Sequence, residues 1–510
     1  KLHIDLNKAF ATMAFRERST ALIHQSIKQT LGRKFAKYSL HISAGGFPIE
    51  QLVPNFFRGS KRSYDQSRMP TSDSRTFPLI RELSKPWQAN DGLYNRNIAL
   101  WPSHGWYYEQ KLDRWEWQRA RVFQTVEDLL PLSYALQYLV PMLENADAQV
   151  FMPRERDTQI REIVIDNDDP QVKYSYQEYD TKSNPWMTPE LPGFAIGSPP
   201  YVSGDNPFAS GTYREVRADT TGTAKIRWLP EVKEPGDYGV YIAYASSDSN
   251  VTDAHYTVYH AGGKSDFLVN QQMGGGTWIY LGKFHFNNNP DMAIERVELT
   301  NISRESGIII SADAVRFGGG MGNISRNGKT SNRPRFTEGA RYYLQYAGMP
   351  DTLIYNLNQD ESDYKDDYQS RAEWVNYLTG SPNGPNKDRN ATGLKIPIDL
   401  SLALHTDAGF TRNDTVIGTL SIFSSEGAQD SLNFPDGMSR LANRDFADML
   451  QTQIVNDIRN IYDPAWTRRA IWDKGYSEAY RPNVPAALIE LLSHHNFLDM
   501  KFALDPRFKF

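Results

Sequence analysis

No cysteine occurs in the 510 residues. That absence excludes disulfide frameworks, thiolate nucleophiles and Cys-held zinc or iron–sulfur centres together, so any metal must sit on His, Asp and Glu. No apolar stretch approaches the length a membrane-crossing helix requires, and no membrane span is expected. The formal net charge of −5 comes without a basic cluster or stripe, so the footprint of a nucleic-acid binder is missing and no nucleic-acid partner is expected. Lys1 opens directly into polar sequence, without the apolar core of a signal peptide. This is compatible with a trimmed, exported chain.

What is present is ordinary globular composition with many aromatics: 40% hydrophobic, 23% charged and 12% aromatic residues, enough for a sizeable core and, at this length, for two or more domains. Apolar alternation and helix-period patterning occupy different regions. Between about residues 195 and 320, period-two runs recur: 224–228, 238–244, 255–259, 277–286, 297–300 and 307–317. Turn-rich breaks separate them, as in an antiparallel β-sandwich. The flanks alternate strands and helices: strands at 97–101 and 148–152 around a helix at 126–143, then strands at 352–357 and 399–405, a helix at 440–461 and a strand at 486–491. That rhythm implies an α/β domain with a mostly parallel sheet covered by helices on both faces, interrupted by the all-β module.

The expected organisation is thus an N-terminal extension of unknown role (1–94), a first α/β part (95–185), the β-sandwich insertion (195–320) and a second α/β part (335–510). Residues 157–192 and 318–335, rich in Asp, Asn, Ser, Gly and Pro, read as linkers. In the 126–143 helix, Thr125 to Asp128 has capping-box spacing with Asp in the last position, and Pro131 is expected to kink the first turns or delay the start.

Ten histidines are few enough to weigh singly. His104 follows one expected strand and His405 closes another; strand carboxyl ends line the ligand crevice of open α/β sheets. Glu127 lies near the start of the intervening helix. Two imidazoles and one carboxylate suit zinc with its fourth position open, although strand-end histidines with ordinary hydrogen bonds are the commoner case. Glu490 interrupts the apolar run 484–492. A carboxylate there must find a partner, face water or rise in pKa, the last being what a general acid/base needs. The adjacent His494 and His495 fit a surface helix or loop better than a metal site. Trp278 fits a sandwich core better than a sugar-stacking platform.

These same residues carry a resemblance. Ser103-His104-Gly105, the Glu127 helix, Leu402 to Ala408, Val484 to Glu490 and the tail Ser493 to Asp499 resemble, in order, the motifs of the zinc-dependent N-acetylmuramoyl-L-alanine amidases. The resemblance covers residues 95–170 and 340–510. It implies zinc on His104, Glu127 and His405, Glu490 as catalytic acid/base, and hydrolysis of the amide between N-acetylmuramic acid and L-alanine in peptidoglycan or muropeptides. A periplasmic or outer-envelope location would follow. Arg481 could pair with a peptide carboxylate, and a surface ion pair is the plainer reading.

Two departures bear on the pocket walls. The chain has Trp101-Pro102-Ser103-His104-Gly105-Trp106 where the family shows Asp-Pro-Gly-His-Gly-Gly, and Asp407 where it commonly has Asn. The middle module resembles the golvesin-like domain in Gly276 to Gly282 and Ala312 to Gly318. Proteins with that module are sometimes labelled xanthan lyases, and the module could contact another glycan. The rival expectations are a noncatalytic glycan-binding envelope protein and a polysaccharide lyase.

Overall fold

The computed structural model describes residues 1–70, 77–87, 89, 92–169, 174–288, 294–380 and 391–510. The chain divides into two compact units: residues 1–73, 120–138 and 400–510 form one, and residues 74–119 and 139–399 form the other. The fold is mixed α/β, and its sheets are mostly antiparallel.

In the first unit, Leu400–Asp407 and Ala486–Ser493 pair in parallel. Thr419–Phe423 runs antiparallel to Ala486–Ser493 and parallel to Arg468–Asp473. Leu400–Asp407, Thr419–Phe423 and Ala486–Ser493 are almost wholly buried, which is why their sequences read as largely apolar runs rather than alternations. The helix Leu441–Ile461 packs on them, with Ala447 in a buried cluster with Phe423, Ile471 and Ala487.

The first 70 residues belong to this unit. A small sheet, Leu2–Leu6 parallel to Leu40–Ala44, and the helix Glu17–Leu31 enclose Phe15, Ile42, Ile49 and Leu52. Arg16 forks onto Asp448 at 2.8 and 2.9 Å, and Arg444 reaches the Met13 carbonyl at 2.7 Å. The stretch left without a role by the sequence is therefore pinned to the long helix by buried guanidinium contacts.

The second unit holds the β-rich core. A six-stranded antiparallel sheet runs in the order Tyr176–Tyr179, Lys225–Trp228, Arg296–Thr300, Ala254–His260, Gly263–Val269, Ile80–Glu82. A four-stranded antiparallel sheet runs Ile279–Phe286, Gly236–Ile242, Val315–Phe317, Ile163–Ile165. The sheets therefore extend beyond residues 195–320, drawing in Ile80–Glu82 and two strands from the segment expected to be a linker. Trp278, 6% exposed, packs edge-on against Phe194 and Phe208; it is a core residue. Asn97–Pro102 pairs in parallel with Gln149–Phe151.

Several local expectations change. Residues 352–357 are not a strand; 352–355 belong to a π-helical turn, Asp351–Tyr355. The helix expected from Val126 starts at Leu130, with Pro131 in its first turn, the position where a missing N–H costs nothing. It widens to a π-turn over Ala135–Leu139 just ahead of Pro141, which cannot donate into the ladder. The capping box expected at Thr125 to Asp128 does not form, because the helix starts only at Leu130, with Leu129 at its N-cap. The strands Thr419–Phe423 and Arg468–Asp473 and the helix Asp363–Thr379 were not among the expected elements.

Candidate metal and acid–base site

His405 and Glu490 face each other across the parallel pair Leu400–Asp407 and Ala486–Ser493 as direct register partners. Both strands are buried in their middles, so the polar side chains they carry must be satisfied by one another or by a ligand.

His405 is 4% exposed. Its Nδ1 lies 3.1 Å from Glu127 Oε1 and its Nε2 lies 3.1 Å from Glu478 Oε1. Burial alone would lower the imidazole, but the two carboxylates outweigh it and push it up to about 10.

Glu478 was not singled out in the sequence. It sits on the four-residue helix Ser477–Tyr480, whose exit is held by Arg440 Nη1 donating to the Pro482 carbonyl at 3.2 Å. A Glu in a short polar segment carries no periodic signal, and only its juxtaposition with His405 marks it.

Glu490 is partly accessible as a residue, yet its Oε2 is fully buried and accepts no hydrogen bond. Burial raises its carboxyl; His405 opposes that rise, and Glu127, Asp407 and Glu478 add to it, leaving the group pushed up to about 8. A carboxyl that exchanges its proton near neutrality is suited to general acid–base work.

His104 is buried, follows Asn97–Pro102 directly, and is preceded by Ser103 at φ 54. A non-glycine residue in the left-handed region is uncommon and often accompanies a functional constraint. Arg154 fixes this turn by donating to the carbonyls of Pro102, at 2.8 Å, and of His104. Arg371 Nη2 lies 3.3 Å from His104 Nδ1. Gly105 is required next, because a Cβ there would come within 2.5 Å of the Glu338 and Gly339 backbone.

Of the three residues expected to hold a metal, the first unit brings Glu127 and His405 together, both buried, while His104 belongs to the second unit. An imidazole nitrogen and a carboxylate oxygen are both zinc donors. Two ligands about 2.0–2.2 Å from a tetrahedral zinc lie roughly 3.3–3.6 Å apart, so the 3.1 Å separation of His405 Nδ1 and Glu127 Oε1 fits with little adjustment.

The remaining candidates have structural partners. His494 Nδ1 approaches the Thr406 hydroxyl at 3.1 Å and carbonyl at 3.0 Å, linking the ends of the two strands, while His495 is exposed and turned edge-on to it. Asp407 accepts from Arg469 at 2.6 Å. Asp499 accepts the main-chain N–H groups of Ser493, at 2.8 Å, and Ile417, at 2.9 Å, so the tail motif closes a loop beside the site. Arg481 caps the helix that carries Glu478.

Residues 203–319 match the Golvesin C-terminal domain, in agreement with the reading of the middle module. Among solved structures, the Paenibacillus xanthan lyase is similar at 24% identity over 31% of this chain and 13% of that one, with a TM-score of 0.24. The C-terminal family 6 carbohydrate-binding module of LamC from Zobellia galactanivorans is similar at 13% identity over 28% of this chain and 98% of that one, with a TM-score of 0.17. The family 11 carbohydrate-binding module from Clostridium thermocellum is similar at 11% identity over 33% of this chain and 100% of that one, with a TM-score of 0.19. No curated protein matches the chain.

Proposed function

We propose that the chain is a zinc-dependent amidase that hydrolyses the bond between N-acetylmuramic acid and L-alanine in peptidoglycan or muropeptides. The observation that carries this reading is the buried pair Glu127 and His405 beside a carboxyl, Glu490, whose pKa is pushed up to about 8. A buried carboxyl such as Glu490, whose Oε2 has no hydrogen-bond partner, is costly to retain without use.

In this reading His104, Glu127 and His405 hold the metal. When bound, zinc supplies Lewis acidity toward a carbonyl oxygen and lowers the pKa of water to about 7. Glu490 takes the proton of the attacking water and delivers it to the leaving amine, so that the amide C–N bond breaks as a C–O bond forms. Glu478 accepts from the Nε2–H of His405 and so keeps Nδ1 as the lone-pair nitrogen facing Glu127. Arg481 pairs with a carboxylate of the stem peptide. Such a substrate places the protein in the periplasm or outer envelope, and the golvesin-like module contributes glycan contact.

Elemental analysis of the purified chain is the test. About one zinc per chain, lost in His405→Ala, supports the reading. A folded chain that binds no zinc is the noncatalytic glycan binder instead, and release of unsaturated sugar absorbing in the ultraviolet identifies a lyase.

A further inference from the structure

We propose that Asp166, Asn167 and Asp313 form a binding site for a hard divalent cation, Ca2+ by its donor chemistry, at one end of the strand pair Ile163–Ile165 and Val315–Phe317. Ile165 and Val315 are register partners in that antiparallel pair. Asp166 immediately follows one strand and Asp313 lies two residues before the other, so both carboxylates stand at the same end.

The hydrogen bonding of the region is lopsided. Asp166 is 1% exposed, and neither of its carboxylate oxygens accepts a hydrogen bond. Asp313 is 3% exposed. Its Oδ2 accepts from the Phe194 N–H at 2.9 Å and its carbonyl from Trp228 Nε1 at 3.1 Å, which fixes the residue while Oδ1 has no donor. Asn167 gives its amide N–H groups to the Thr212 carbonyl and hydroxyl at 3.2 and 3.0 Å, leaving a buried Oδ1 that accepts nothing. Only Asp168 is satisfied, by the hydroxyl and amide of Thr212.

Four buried acceptor oxygens at this end of the strand pair thus lack a hydrogen-bond partner. Burial and the mutual approach of the acidic groups raise both carboxyls, Asp166 to about 9 and Asp313 to about 8, and the nearby amides of Asn167 and Asp168 relieve Asp166 only in part. Buried acceptors without donors are rare in native proteins and call for a ligand or a proton. An all-oxygen set without nitrogen or sulfur selects Ca2+ over zinc or copper, and main-chain carbonyls and water complete its usual six to eight positions.

The site is independent of the hydrolase reading, and its test reads no catalytic turnover. The full chain, stripped of metal and resupplied with saturating zinc, is titrated with Tb3+ while the indoles are excited; Trp228 stands against Asp313 as the sensitiser. The expected result is sensitised Tb3+ emission that Ca2+ displaces, with a dissociation constant in the ~10⁻⁶–10⁻³ M range, and a thermal midpoint that rises with Ca2+. Both effects should vanish in Asp166→Asn/Asp313→Asn at unchanged far-ultraviolet circular dichroism. Should that variant misfold, Asn167→Ala, at a half-buried position, is expected to weaken Ca2+ several-fold. A wild-type chain whose emission and midpoint ignore Ca2+ overturns the site, as does a folded variant that keeps wild-type affinity; in that case the two carboxyls share a proton.

Discussion

His405 and Glu490 occupy matching positions on neighbouring parallel strands, so one register fixes both a candidate metal ligand and a candidate proton carrier. A slip of one residue in either strand would turn that strand's side chain to the opposite face, and the burial of these strands prevents it.

Glu490→Gln keeps the shape of the side chain and removes its proton chemistry. Because Oε2 makes no hydrogen bond, little stability should be lost. Zinc content is expected to stay near wild type, while turnover of a muropeptide amide falls about 10²–10⁴-fold, the usual contribution of general acid–base catalysis. Steady-state kinetics with metal analysis checks this. Wild-type turnover removes Glu490 from the mechanism, and lost zinc makes it a ligand.

Glu478→Gln tests the contact at His405 Nε2. Orienting partners of metal-bound histidines typically contribute 10- to 100-fold in affinity, so zinc binding measured by competition with a chelator should weaken by about that factor. Circular dichroism should be unchanged. Unaltered zinc affinity would reduce Glu478 to an ion-pair partner of a protonated His405.

Excising residues 195–320 is expected to destroy cooperative unfolding of the second unit. Tyr176–Tyr179 would lose its neighbour Lys225–Trp228, and Ile163–Ile165 would lose Val315–Phe317, leaving unpaired edges prone to aggregation. Calorimetry of the excised chain checks it; a sharp transition for the remainder would mean that the outer strands are dispensable.

Glu338 gives a pH-dependent prediction away from the site. It is 1% exposed, and burial raises it from 4.5 to about 7 despite help from Ser331, Arg335 and Arg154. The fold binds this proton more tightly than the unfolded chain, so stability is lost as pH climbs from about 4.5 through about 7. The loss is on the order of 3 kcal/mol. Glu338→Gln should therefore raise the thermal midpoint at pH 8 and change it little at pH 4.5. Parallel pH profiles for the two proteins would contradict the assignment.

Much of this was legible in the sequence where a single period dominates. Leu400–Asp407, Ala486–Ser493, the helix Leu441–Ile461 and most sandwich strands stand within a few residues of their expected positions. The apolar run 484–492 gave away the buried carboxyl of Glu490. What the sequence hid was non-local: the pairing of Ile163–Ile165 and Tyr176–Tyr179 with strands far along the chain, in a segment whose composition reads as linker. Strand direction was hidden too, since Thr419–Phe423 runs antiparallel to Ala486–Ser493 and makes the sheet mixed. Glu478 was invisible because its role exists only through its distance to His405.

Metal-dependent hydrolysis of the muramoyl–alanine amide is tested most directly by mass spectrometry of purified peptidoglycan digested by the chain, with and without prior chelation of zinc. Stem peptides with a free L-alanine amino group and glycan strands with free lactyl carboxyls are expected, each cleavage adding one water. These products should disappear on chelation and return with zinc. Intact stem peptides on intact strands, from a folded and zinc-loaded chain, would contradict it.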